Sequence, residues 1–144
     1  MIARIVGSRG DLAHLIVRFI VGVIFVAHGL AKFQIGISTI TGFLQSVGIP
    51  AAGFFGWLLP LVEIIGGLAL IFGLATRLAA LLLAVVMVVA IIKVKLAVGL
   101  IVPMAQPGVG MELDLAILAG LLAILLEGPG RFSLELGGLK REII

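Results

Sequence analysis

A bilayer hydrocarbon core of about 30 Å is crossed by about 20 consecutive apolar residues of helix. This chain of 144 residues contains four runs of roughly that kind, near 12–33, 57–74, 77–98 and 111–127. No feature constrains its fold more. Apolar residues make up 62% of the chain and charged residues only 12%, against roughly half and a quarter in a soluble domain. None of the runs alternates polar and apolar at period two, which argues against a lipid-facing barrel. Helices satisfy their own backbone groups in lipid. The expectation is therefore all-α: an integral membrane four-helix bundle, one domain over 1–144. Between the first two runs Ile37, Ile40, Leu44 and Val47 recur at helical spacing, which predicts a short interfacial helix.

The breaks agree with these spans. Gly36, Gly42, Gly48 and Pro50 punctuate the first loop, "GLATR" makes a tight second turn, "GLIVPMAQPGVG" interrupts after the third run and "EGPGR" stops the fourth. Arg4 and Arg9 precede the first run as in a signal peptide. That run is too long for a signal core, and no small-x-small cleavage site follows, so it reads as a retained span. Arg4, Arg9, Arg77, Arg131, Lys140 and Arg141 fall on one side, and Lys32, Lys93 and Lys95 on the other. The excess predicts a multi-pass protein of the cell membrane with both termini cytoplasmic. Ala69 and Gly73, Ala80 and Ala84, and Ala116 and Gly120 stand four apart, a spacing that lets helices approach closely in lipid.

Charges inside such spans are costly and default to function. Placed by depth at about 1.5 Å per residue, His28, Lys32, Glu63, Lys93, Lys95, Glu112 and Asp114 fall toward the non-cytoplasmic side, as one balanced layer. His28 and Lys32 are four apart and share a face with Phe25. Glu63 shares a face with Pro60, Gly66, Gly67 and Leu70, the small-residue face that should point inward. The ligand- or proton-site candidates are His28, Lys32, Glu63, Lys93 and Asp114. Lys95 and Glu112 read instead as snorkelling and helix-end charges. Arg18 and Glu127 lie near the cytoplasmic level, where they are expected to serve as structural charges and to pair. The catalytic residues, if any, are not identifiable from these patterns.

Several function classes are excluded. Cysteine is absent, so the chain offers no disulfide, thiolate metal site or dithiol relay of its own. The net charge of +3 and pI near 10.0 come from basic residues scattered at span ends, which does not suit nucleic acid. There is no HExxH, P-loop, dinucleotide fingerprint, Fe–S pattern or haem-ligand pair, and no metal site is expected.

The stretches "RFIVGVIFVAHGLAKF", "GFLQSVGIPAAGFFGWLLPLVEIIGGLALIFGLATRLAALLLAVVMVVAI" and "EGPGRFSLE" resemble the DoxX family of small four-helix membrane proteins. The most specific pieces are the Arg18 to His28-Gly29 to Lys32 spacing, Glu63-x-x-Gly66-Gly67 followed by Thr76-Arg77, and Gly128-Pro129-Gly130-Arg131-Phe132-Ser133. Many members open the fourth helix with a tyrosine or second acid; here Glu112 and Asp114 stand there and tyrosine is absent. The family's loop before that helix is often glycine-rich and aromatic, whereas here it is "VPMAQPGVG". The resemblance implies a link to quinone chemistry. The family is named from a subunit associated with an archaeal terminal quinol oxidase, and its relatives include a thiosulfate:quinone oxidoreductase subunit. A mycobacterial member is linked to an oxidative-stress complex with superoxide dismutase and a thiosulfate sulfurtransferase. No catalytic residue carries over.

Three functions follow as expectations. The first is a small subunit or accessory protein of a quinone-linked membrane oxidoreductase system, with quinone as its ligand and partner proteins in a membrane redox complex. His28 and Glu63, with Lys32 or Asp114, would supply the proton donor near the quinone carbonyls. The second is a non-catalytic assembly or docking module. The third is a small-solute or proton carrier acting as a homo-oligomer, since four helices alone make a thin pathway.

Overall fold

The computed structural model describes residues 2–103 and 108–135, with side chains from Gly10 onward. Lys140 and Arg141 lie outside the described residues, as do the side chains of Arg4 and Arg9. The described residues form α1 (Ile2–Ile35), α2 (Ile37–Ser46), α3 (Ala52–Phe72), α4 (Thr76–Ala90), a π-helical turn (Ile91–Lys95) and α5 (Glu112–Glu127), and no strand. Helices α1, α3, α4 and α5 form a bundle in which α3 packs on α1 and α4, and α5 closes the ring against α4 and α1.

Among the described residues, three helices are long and apolar enough to cross a membrane: Gly10–Ile35, Ala52–Phe72 and Thr76–Lys95. The fourth expected run forms α5, whose 16 residues reach about 24 Å, short of the roughly 30 Å of a typical core. Helix α3 starts earlier than the expected 57, because Ala52 and Gly56 are buried and the stretch carries no charge to stop it. The third run is helical from Thr76 but ends in the π-helical turn at Lys95.

The bundle is inside-out in the manner of a membrane protein. Its centre is a cluster of Val21, Phe25, Leu70, Ala80, Leu83, Ala84, Met87, Leu121 and Ile124 with their neighbours, while Phe19, Ile65, Leu81, Val85 and many other large apolar side chains face outward. Close approach comes from glycine. A Cβ on Gly22 would stand 2.7 Å from the Gly67 carbonyl oxygen, and one on Gly29 would stand 2.8 Å from that of Pro60. Helices α1 and α3 therefore touch backbone to backbone, running antiparallel. The sequence shows Gly22 and Gly29 seven apart, but the pairs picked out by four-residue spacing did not include them.

The expected short helix is present as α2. Its Ile40 and Leu44 are buried against Ala52, with Ile49 and Leu59 beside them. Thr41 packs against Gly56, on the turn of α3 where Pro60 removes an intrahelical donor. The tight turn at "GLATR" is also present. Gly73 adopts a left-handed conformation (φ 68), its N–H bonds the Leu70 carbonyl, and that of Leu74 bonds Ala69. This is the hydrogen-bond pattern of a glycine-terminated helix.

Candidate functional site

The α1/α3 contact brings one charged pair together inside the bundle. Lys32 Nζ donates to both carboxylate oxygens of Glu63, at 2.8 and 2.7 Å. Glu63 is almost fully buried, its side chain 5% exposed, and that of Lys32 is 20% exposed. The local reasons are legible. Glu63 lies on the face of Pro60, Gly66, Gly67 and Leu70, all of which are buried. Gly29, one turn before Lys32, lets α1 close onto α3, and the lysine side chain leans back toward the N-terminus of its own helix. A carboxylate placed here without a partner would be expensive. The bidentate ammonium contact supplies one.

His28 takes a different position from the one expected. It is exposed, whereas Phe25 is buried. At about 100° per residue Lys32 lies only about 20° from Phe25 around the helix, but His28 lies about 60° away. That angle moves His28 from the inner face to its edge. The α1/α3 register still sets it level with Glu63, within electrostatic reach of the carboxylate.

The expected common layer of charges resolves into two separate pairs. Lys95, not Lys93, turns toward α5: its Nζ donates to the Val109 carbonyl at 2.8 Å and lies 3.9 Å from Asp114. Lys93 is exposed, and so is Glu112. The π-helical turn that carries both lysines changes the angular step along the helix, and a reading at uniform helical pitch does not include it. Leu83 packs against Gly66, so the backbone of Lys95 starts on the order of 12 Å farther along the bundle than Glu63.

The opposite end of the bundle holds a second polar centre. Arg18 is 1% exposed, and its guanidinium donates to the carbonyls of Pro129 and Phe132. His14 takes the expected place of Arg18 beside Glu127, with Nδ1 3.0 Å from the carboxylate, while Nε2 lies 2.8 Å from the Gly128 carbonyl oxygen. Glu135, with no exposed surface, accepts from the Thr76 backbone N–H and hydroxyl at 3.3 and 3.2 Å. Its own N–H bonds the Gly73 carbonyl. Glu135 thus places a carboxylate on the positive N-terminus of α4, and residues 128–135 form a strap across this end. His14, Thr76, Ser133 and Glu135 were not among the sequence candidates. The available signal was a run of polar residues just after the "GPG" break.

An apolar groove of about 300 Å³ runs between α3 and α4, lined by Leu61, Ile65, Ala69, Leu78 and Leu82 among others. It is separate from the Lys32–Glu63 pair and has no polar group to orient a ligand. Among the described residues, no group of His, Asp or Glu is arranged to hold a metal ion.

Residues 13–96 match the DoxX family. The chain belongs to the DoxX family. The matched segment carries both partners of the buried pair, Lys32 and Glu63. The chain is 36% identical over 144 residues to "Uncharacterized membrane protein Rv3486" of Mycobacterium tuberculosis (strain ATCC 25618 / H37Rv), covering 92% of this chain and 85% of that protein. It is 42% identical over 86 residues to "Putative oxidoreductase CatD" of Bacillus subtilis (strain 168), covering 60% of this chain and 62% of that protein. No solved structure matches significantly. The protein is a membrane protein of the DoxX family, with apolar helices that place it in lipid.

Proposed function

We propose that this DoxX-family chain is a small membrane subunit of a quinone-linked oxidoreductase system, and that the Lys32–Glu63 pair with His28 is where a quinone ring binds. One observation carries the reading: a buried carboxylate–ammonium pair between two membrane helices, with an exposed imidazole level with it at the edge of the same face of α1. A lipid-soluble ring entering from the bilayer meets His28 first and the pair behind it. Lys32 is a donor for a quinone carbonyl, and Glu63 and His28 are groups able to take or return the proton that accompanies reduction. The name of the Bacillus subtilis relative, a putative oxidoreductase, supports a redox setting. With no cysteine and no haem-ligand pair, the chain needs partner proteins to carry electrons.

In this reading α5 serves as the fourth membrane segment, shortened because its ends are held by Lys95 and by the strap. The strap end faces the cytoplasm, on the side of Arg77 and Arg131.

The test is thermal stability of the purified protein with quinone analogues. A ligand that binds only the folded state at about 100 times its Kd adds about 2.7 kcal/mol. A stabilising shift is expected, lost in His28→Ala and in Glu63→Gln. No shift with any quinone, in a protein that is otherwise folded, contradicts the reading.

A further inference from the structure

We propose that Glu63 exchanges protons with one side of the membrane only, the side on which α1 ends and α3 begins. The inference concerns the same site as the quinone reading but needs no quinone.

Three observations lead there. First, the polar groups nearest Glu63 lie level with it or toward that end. From α1 they are Lys32, in contact, and His28, level with it. Helix α2 brings no titratable group, and α3 has no other charge. Helix α4 brings only Arg77, in its first turn at the strap end. Lys93 and Lys95 in the π-helical turn, and Glu112 and Asp114 in the first turn of α5, lie toward the same end as Lys32.

Second, the opposite direction is dry. Between Glu63 and the strap the core is made by Val21, Phe25, Leu70, Leu83, Leu121 and Ile124 in one contiguous cluster. Leu70, Leu83 and Leu121 have no exposed surface. A fully buried apolar layer offers a chain of water no polar partners to hold it.

Third, the far end is closed by the strap. Arg18 holds two of its carbonyls, and Glu135 is bound to Thr76 and Gly73. Gly73 and Gly130 fit so closely that a Cβ on either would collide with Ser133 or with the His14 ring. A proton entering from that side meets a fixed guanidinium and then the dry layer. On the other side it meets Lys32, which is partly exposed.

The test uses the full chain in lipid vesicles with pH set separately inside and outside. A hydrophobic carbodiimide adds covalently to a protonated carboxyl group, and mass spectrometry reads the adduct on the peptide containing Glu63. The chain has no cysteine, so Gln45→Cys, on an exposed position of α2, reports orientation through an impermeant maleimide. In the fraction with α2 outward, lowering the external pH by one unit is expected to raise labelling, by up to about tenfold where Glu63 is mostly ionised. The same change inside should leave it unmoved. Glu63→Gln should abolish the adduct on that peptide. Labelling that follows the internal pH, labelling that follows both sides equally, or no labelling of Glu63 between pH 5 and 8 each overturns the proposal. Quinone binding plays no part in the readout, so its failure and a failure here are distinguishable.

Discussion

Lys32 on α1 and Glu63 on α3 form a two-pronged ion pair, 2.8 and 2.7 Å from ammonium to carboxylate oxygens, with the carboxylate almost wholly out of contact with the surroundings. They stand 31 positions apart along the chain. Their meeting depends on the glycine contacts that let α1 and α3 touch.

Removing one partner leaves an uncompensated buried group. Lys32→Met should cost about 3–5 kcal/mol, the usual range for breaking a buried pair. Combining it with Glu63→Gln should recover a large part of the loss, because a neutral amide is cheaper to bury than a carboxylate. Unfolding of the purified single and double variants, read as a double-mutant cycle, checks this. Simple additivity would contradict the coupling.

The helix contact can be probed without touching a charge. A methyl at Gly29 meets the Pro60 carbonyl and the Ile64 backbone nitrogen, whereas at Gly42 on α2 it meets nothing within 4 Å. Gly29→Ala should therefore destabilise by about 1–3 kcal/mol through overpacking. Gly42→Ala should be neutral or stabilise by about 0.5–1 kcal/mol through lost chain entropy. Thermal unfolding of the two variants side by side decides. Equal behaviour would show that α1 and α3 are not in backbone contact.

How much of this the sequence discloses depends on distance along the chain. Helix α2 and its buried Ile40 and Leu44, the inward face of Glu63 and the Gly73 turn are local, set by periodicity and by one left-handed residue. The outward position of His28 is also local, but it turns on a 60° difference around a helix, finer than a shared-face argument resolves. The choice of Lys95 over Lys93 depends on a π-helical turn, which has no sequence mark that we recognise. The Arg18–Pro129 and Thr76–Glu135 contacts join positions far apart in the chain, so spacing alone could not place them. Buried Arg18 was visible as a charge in a span; its partners, backbone carbonyls, have no side-chain signature.

The strap supplies a further prediction. Arg18→Gln removes the guanidinium that holds the Pro129 and Phe132 carbonyls and lies near buried Glu135. Loss of such a buried charge should cost about 3–5 kcal/mol. It should also loosen residues 128–135, where Arg131 is already exposed. Trypsin cleavage after Arg131, followed by mass spectrometry, should be faster in the variant. An unchanged rate, measured at a temperature where both proteins remain folded, would contradict the locking role.

The end charges of the second pair are predicted to matter little. Asp114→Asn removes a 3.9 Å contact between partly exposed groups, leaving Lys95 bound to the Val109 carbonyl. A change within about 1 kcal/mol is expected. A loss as large as that from breaking the Lys32–Glu63 pair would show that the two pairs form one network after all.

The most direct test of the functional account is equilibrium binding of a short-chain quinone analogue to the full-length protein in lipid nanodiscs, wild type against Glu63→Gln. The account expects saturable binding by the wild type. It expects affinity at least about tenfold weaker in the variant, a difference of about 1.4 kcal/mol, with helical content unchanged. Binding that never saturates, or that is equally strong without the Glu63 carboxylate, would contradict it.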